Sequence, residues 1–571
     1  MVKRRVIAAA LLVATCFAPV SAFADVNAGA YLAARQAAIG SDYDQAAEFY
    51  ARALSRDPSN RALLDGALSS FLSLGEIGRA APIATRVIQS SSESQLANLV
   101  LMARDVDAGS WDTVIANLDA GQSVGPLFDS LLRAWAHVGQ GRMSDALAAF
   151  DAVAGTGGVQ AFGLYHKALA LSSVGDFESA EEIFSSEVGP QIRLTRRGVV
   201  TYATVLSQLD RNADALNLLS QAFGTNLDPE VAELRARLEA GETVPLDGPT
   251  TAAEGVAEVS FTIAGALNGD ASDAYTLLFA RLAEFLDPAH FDGVLLVATL
   301  LEDLSQYDLA VDSYESIPRD EPNFHVAELG RADALRRSGD MNAAIEVLQG
   351  LAQSHPDLSV VHSTLGDFLR RESRYGEANA SYNNAVDLFE GDQEAQWVVY
   401  FSRGITHERE DRWPQAEADF RKALELRPNQ PQVLNYLGYS YVELQTNLDE
   451  ALAMIQLAVD TQPSSGFIVD SLGWVLYRLG RYEEAVEQME RAVELMPIDP
   501  VVNDHLGDVY WAVGRQREAE FQWHRALSFF ESDESNTDVE PDRIRRKLEV
   551  GLDLVLEEEG APPLEVANDD G

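Results

Sequence analysis

"VVNDHLGDVYWAVGRQREAEFQWHRAL", residues 501–527, reads as two helices and the turn between them. Leu506, Tyr510, Trp523 and Ala526 recur at helical spacing, which gives each helix one apolar face. Gly507 and Ala519 are small residues at the expected crossing, where a missing side chain lets two antiparallel backbones approach. The stretch has copies: Gly507 lies 34 residues after Gly473, which lies 35 after Gly438. Second-helix alanines keep the same step, since Ala451, Ala485 and Ala519 are separated by 34 and 34. Helix pairs at a fixed period, without strand alternation, predict an all-α solenoid in which every pair buries its apolar face against its neighbours.

Upstream the copies weaken. In "FIVDSLGWVLYRLGRYEEAVEQMERAVELMP", residues 467–497, Gly480 ends the first helix and Pro497 stops the second. Gly404, Trp413, Ala416, Phe420 and Ala423 form one further unit, and Gly366, Tyr375, Ala378, Tyr382 and Ala385 another. The step from Gly366 to Gly404 is 38, and the polar stretch Glu390–Glu394 holds the surplus. Before the Gly366 unit only second helices are easily legible, as at Tyr307, Ala310 and Tyr314, at Phe177, Ala180 and Phe184, or at Tyr43, Ala46 and Tyr50. The Leu-Gly pair followed by alanines is the tetratricopeptide repeat (TPR) signature, and at about 34 residues per unit the chain has room for roughly ten to thirteen pairs. The repeat-packing residues are then Gly404, Ala416, Gly438, Ala451, Gly473, Ala485, Gly507 and Ala519.

A chain of 571 residues needs no single large core if it grows by adding repeats. Its 47% hydrophobic and 23% charged residues are ordinary for folded protein. The expected organisation is a signal peptide at 1–24, a divergent helical array at 25–240, a linker at 241–255 and a second array at 256–530, clearest over 395–527. The linker expectation rests on "GETVPLDGPTTAAEG". A capping helix at 541–556 follows from Ile544, Leu548, Leu552 and Val555 on one face, and 557–571 reads as a disordered acidic tail.

Lys3, Arg4 and Arg5 precede an apolar run, Val6–Val20, too short to stay in a membrane, and Ala22-Phe23-Ala24 suits cleavage after Ala24. This predicts an exported, periplasmic protein with no integral span. Lipidation at Cys16 is the less favoured route, because Thr15 fits a lipobox poorly; if Cys16 leaves with the signal, no cysteine remains. Formal net charge is −46, or −49 without residues 1–24, which carry three basic and no acidic residues. Such a surface repels nucleic acid and favours basic partners, or serves solubility alone.

Catalytic and metal motifs are missing. His407-Glu408 lacks the second histidine of a zinc helix, no phosphate loop or nucleophile elbow occurs, and no cofactor is expected. The divergent segment 254–291 is the place left for an enzyme site, although it shows helical apolar spacing and no cluster of titratable groups. In TPR proteins the first helix of each pair faces the ligand. On that pattern the expected protein-binding groove holds Asn435, Tyr439, Asp470, Trp474, Tyr477, Asp504, Asp508 and Trp511, aromatic anchors among acids. It lacks the basic set with which some TPR domains clamp a C-terminal carboxylate.

"LNYLGYSY", "IVDSLGWVLYRLGRYEEAVEQMERAVEL" and "HLGDVYWAVGRQREAEFQWHRAL" resemble the C-terminal repeats of exported proteobacterial TPR proteins, among them lipoprotein adaptors of periplasmic carboxy-terminal processing proteases. The resemblance implies a non-enzymatic scaffold that brings a protease and its substrates together. An assembly or chaperone-like factor for envelope complexes is the alternative.

Overall fold

The computed structural model describes residues 26–90, 93–224, 228–532, 539–561 and 563–564. The expected signal peptide, Cys16 included, and residues 565–571 of the expected tail lie outside them. Thirty-two α-helices and one short 3-10 turn make up the described structure, with no strand among the described residues. The fold is the expected all-α, TPR-type stack of antiparallel helix pairs. It divides into two compact units, residues 1–347 and 348–571.

Unit 2 holds the legible repeats. Its pairs are Ser359–Arg371 with Tyr375–Asp387, Trp397–Arg409 with Trp413–Leu426, Pro431–Glu443 with Leu448–Thr461, Gly466–Arg478 with Tyr482–Leu495, and Pro500–Ala512 with Gln516–Ser532. Proline begins two first helices, where its missing N–H costs nothing, and the Asp499 carboxylate caps one by accepting the N–H groups of Val501 and Val502 at 2.9 and 3.0 Å. Each repeat glycine meets a large side chain of its own second helix. A Cβ on Gly404 would stand 2.6 Å from Phe420, on Gly473 2.7 Å from Met489, and on Gly507 2.4 Å from Trp523. Ala416, Ala451, Ala485 and Ala519 are all fully buried beside these crossings.

Beyond Ser532 the expected single capping helix is two, Pro541–Val550 and Leu552–Glu558. Gly551 breaks them with a φ of +84°, and a Cβ there would also strike Trp511 at 2.6 Å. Ile544 and Leu552 are buried, so this segment covers the last repeat as a first helix would.

Unit 1 begins with the pairs Val26–Ile39 with Tyr43–Leu54, Arg61–Ser73 with Ile77–Ser90, Gln95–Asp107 with Trp111–Asp119, Pro126–Gly139 with Met143–Ala154, Gln160–Ser173 with Phe177–Phe184, and Arg196–Gln208 with Asn212–Phe223. Residues 241–251 carry no helix, as their Pro and Gly content implies, yet they are not a free spacer: Val244 is buried, and Gln208 donates to its carbonyl at 2.5 Å. The next two helices, Ala252–Leu267 and Asp273–Leu286, form a hairpin that packs back on the first helices of unit 1 instead of opening the second array, which was expected to begin at 256. The reason is composition. Val256, Ala257, Val259, Leu277, Ala280, Leu282 and Ala283 bring apolar side chains to more than one face of each helix, so each has to be covered on more than one side.

Candidate functional site

The first-helix faces are where a repeat protein of this kind meets other chains, and the two units use theirs differently. In unit 1 the hairpin 252–286 occupies the face. Gly255 lies against Trp135, where a Cβ would come within 2.3 Å of the indole. Phe279 meets Phe128 edge-on at 6.1 Å, Gln95 donates to the Tyr275 hydroxyl at 3.4 Å, and Arg281 donates to the Ser73 carbonyl at 3.0 Å. All of these partners belong to first helices.

A buried charge fixes the hairpin in register. Glu258, 1% exposed, accepts from the Tyr165 hydroxyl at 2.9 Å, from Arg197 Nε at 2.7 Å and from His290 Nε2 at 3.0 Å. His290 Nδ1 accepts the Gly293 N–H at 3.0 Å, so its proton sits on Nε2. Burial alone would raise the Glu258 pKa; Arg197 and His290 outweigh it and hold the carboxyl well below the usual range. Burial, then Glu258, pushes Tyr165 well up. Next door, His166 accepts from Trp135 Nε1 at 3.3 Å and donates through Nε2 to Thr262 at 3.2 Å, and burial lowers its pKa to about 4. The segment 254–291, which reads as free of clustered titratable groups, thus supplies Glu258 and His290 to such a cluster. Their partners Tyr165 and Arg197 stand 93 and 61 residues away from Glu258, beyond any local pattern.

A cavity of about 310 Å³ opens beside this cluster, lined among others by Arg197, Glu254, Asp287, His290 and Asp292. Glu254 and Asp292 lie in the first turns of their helices, where carboxylates offset the backbone dipole. The lining contains no serine, threonine or cysteine that could act as a nucleophile. Among the described residues no three His, Cys, Asp or Glu side chains are placed to hold a metal.

In unit 2 the expected groove residues lie on first helices, but most are already bonded to the next first helix along the stack. Asp470 takes the Nδ1 proton of His505, at 3.0 and 3.1 Å from its two oxygens. Trp474, 9% exposed, donates to Glu443 at 2.9 Å and is stacked on His505 at 4.1 Å and on Tyr477 at 4.9 Å. Tyr477 is buried, which pushes its hydroxyl pKa up. Asp504 and Asp508 hold Lys547 at 2.9 and 2.6 Å, and Asp508 also accepts from Trp523 at 2.9 Å. Trp511 donates to Asp553 at 3.0 Å and leans on Trp523. Asn435 is half-buried with its carbonyl oxygen enclosed and without a hydrogen-bond partner, and Tyr439 is half-buried.

The arrangement is a ladder: a carboxylate on one first helix accepts from a donor on the next, from Glu408 with Tyr436 at 2.6 Å to Asp504 with Lys547. Burial disfavours the charged form of His505, yet Asp470, Asp504 and Asp508 outweigh it and raise its pKa. Lys547 has no exposed side-chain surface, so the last rung is a buried ion pair, which gives register more surely than stability.

What remains exposed is a different position of the same helices. Val360, Val398 and Phe467 are 47%, 45% and 51% exposed, and Val501 is partly exposed. Each stands six residues before the repeat glycine, at Gly366, Gly404, Gly473 and Gly507, with Gln432 at the same place before Gly438. That register was available in the sequence; reading onward from the glycine and not back from it passed over these residues.

Fold and face together define a helix-pair repeat protein with one first-helix face covered and, among the described residues, one uncovered. Tetratricopeptide repeat models match residues 295–359, 401–466 and 470–499. A TPR repeat-containing protein of Pseudomonas aeruginosa is 24% identical over 197 residues, 34% of this chain. That match takes in 32% of the relative, so the chain spans about a third of its length. Solved structures that are similar include the APC/C hetero-tetramer Cut9–Hcn1, 14% identical with a TM-score of 0.37, covering 92% of this chain and 96% of that one. A tetratricopeptide repeat protein from Parabacteroides merdae is 15% identical with a TM-score of 0.37, covering 45% of this chain and 97% of that one. MamA is 20% identical with a TM-score of 0.27, covering 29% of this chain and 94% of that one.

Proposed function

We propose that this chain is a non-enzymatic scaffold that holds other proteins through unit 2, acts in the periplasm after export, and serves there as an adaptor for a processing protease. The observation that carries the scaffold reading is the contrast in the first-helix faces. Unit 1 has its face covered by its own hairpin, whereas among the described residues no comparable hairpin covers that of unit 2, where apolar side chains stand exposed in register. Contacts of this kind are individually shallow and gain by summation over repeats. The export reading is supported by Lys3 to Ala24, and the protease reading by the resemblance of residues 433–527 to the adaptor family. Among the described residues no helix is long and apolar enough to cross a membrane.

Affinity capture with the purified full chain from envelope extract, at low and high salt, tests the reading. Recovery of a processing protease together with its substrates is expected; recovery of assembly proteins alone replaces the adaptor by an assembly factor, and recovery of nothing removes the scaffold. N-terminal sequencing of the mature chain is expected to begin at Asp25, and an intact Met1 in the cytoplasm would contradict export.

A further inference from the structure

We infer that the exposed edge formed by Val360, Val398, Phe467 and Val501 is the docking line for one amphipathic helix of a partner protein, apolar on one face and basic on the other. The inference rests on the scaffold reading above and names where on unit 2 the partner sits and what chemistry it has. The four residues occupy one register position, the second residue of first helices beginning at Ser359, Trp397, Gly466 and Pro500. A single exposed valine on a soluble surface needs no explanation, but the same position left apolar in four of the five repeats, with Gln432 in the third, makes a line.

Unit 1 shows what such a line accepts. There the hairpin's Tyr275, Phe279 and Glu258 are met by Gln95, Phe128 and Arg197, which are the first, third and second residues of their helices. The beginnings of first helices in this chain therefore take part in seating a helix, beside Trp135, Tyr165 and Ser73 further along the same face. In unit 2 the interior of the face is consumed by the ladder from Glu408 to Lys547, so the beginnings of the helices are the part left to meet another chain. The sign of the partner's polar face follows from charge: at −46 overall the chain repels an acidic helix and attracts a basic one, more strongly at low salt.

The experiment uses the full chain and a fluorescent amphipathic peptide with leucine and alanine on one face and lysine on the other. Its twin with glutamate for lysine and a scrambled lysine peptide of equal charge serve as controls, with binding read by anisotropy. The lysine helix is expected to bind, the two controls at least about tenfold more weakly. The triple variant Val360→Asp, Val398→Asp, Phe467→Asp is expected to lose binding by about tenfold or more with an unchanged circular dichroism spectrum. Val398→Thr with Phe467→Ser, which adds no charge, is expected to weaken it in the same direction. Equal binding of the scrambled peptide would reduce the effect to charge attraction, and equal binding by both variants, or none by the wild type, overturns the docking line. Envelope capture repeated with the triple variant separates the two readings. A partner kept by the variant sinks the line and leaves the scaffold; a partner never held by the wild type sinks the scaffold.

Discussion

Two faces built from the same kind of helix end in opposite conditions. The first helices of unit 1 are covered by residues 252–286, and those of unit 2 carry exposed apolar residues at their starts. The difference lies in what each array has to neutralise. Unit 1 meets an apolar hairpin and fixes it with one buried carboxylate, Glu258; unit 2 spends its carboxylates on the next helix in the stack and leaves the apolar edge unpaired. A repeat protein can thus lose a binding face to its own chain while keeping another open, and sequence period alone does not tell which.

The largest expected effects break the packing on which both faces stand. Ala485→Glu puts a charge at a fully buried crossing in unit 2, with an expected loss of about 4 kcal/mol read as a fall in melting temperature. An unchanged melting temperature would remove the assigned register. Lys547→Ala leaves Asp508, 1% exposed, short of its nearest cation, and is expected to cost about 3 kcal/mol by denaturant titration. In unit 1, Gly255→Val drives two methyl groups into Trp135 and is expected to cost about 2 kcal/mol while unit 2 keeps its stability.

Proton linkage sharpens the comparison at one residue in each unit, because His166 of unit 1 and His505 of unit 2 respond to pH with opposite signs. His166 in unit 1 has its folded pKa depressed to about 4, so the unfolded chain binds the proton first and stability falls as pH drops below about 6.5. Between pH 7 and pH 5 this amounts to about 2 kcal/mol lost by unit 1. His505 in unit 2 has its folded pKa raised by the surrounding aspartates, so its contribution is present below about 6.5 and is lost as pH rises through the folded value. Thermal melts of His166→Phe and His505→Phe across pH 5 to 9 are expected to lose these opposite slopes one at a time, and parallel slopes in both would contradict the environments described. The smallest effect is expected at the edge itself. Phe467→Asp, at a half-exposed position, is expected to change stability by no more than about 0.5 kcal/mol.

The repeats were legible because Gly438, Gly473 and Gly507 each act within one pair, on a side chain 16 or 17 residues onward. The hairpin was not, because its apolar helices look like more repeats until the partners Trp135, Tyr165 and Arg197 are known, and these lie on earlier helices with no fixed spacing. For the expected groove residues the pattern named the right helices, but Trp474, Asp508 and Trp511 are answered by Glu443, Lys547 and Asp553 from neighbouring elements, and a period within one repeat does not reveal a hydrogen-bond partner in another.

Hydrogen exchange of the full chain, read by mass spectrometry, tests most directly the claim that unit 1 is closed by its own hairpin. The amides of residues 256–264 and 277–283 are expected to exchange as slowly as those of the helix Pro126–Gly139 on which the hairpin lies. Fast exchange in those two segments, with the helix beneath still protected, would contradict it and would make the face of unit 1 an open one.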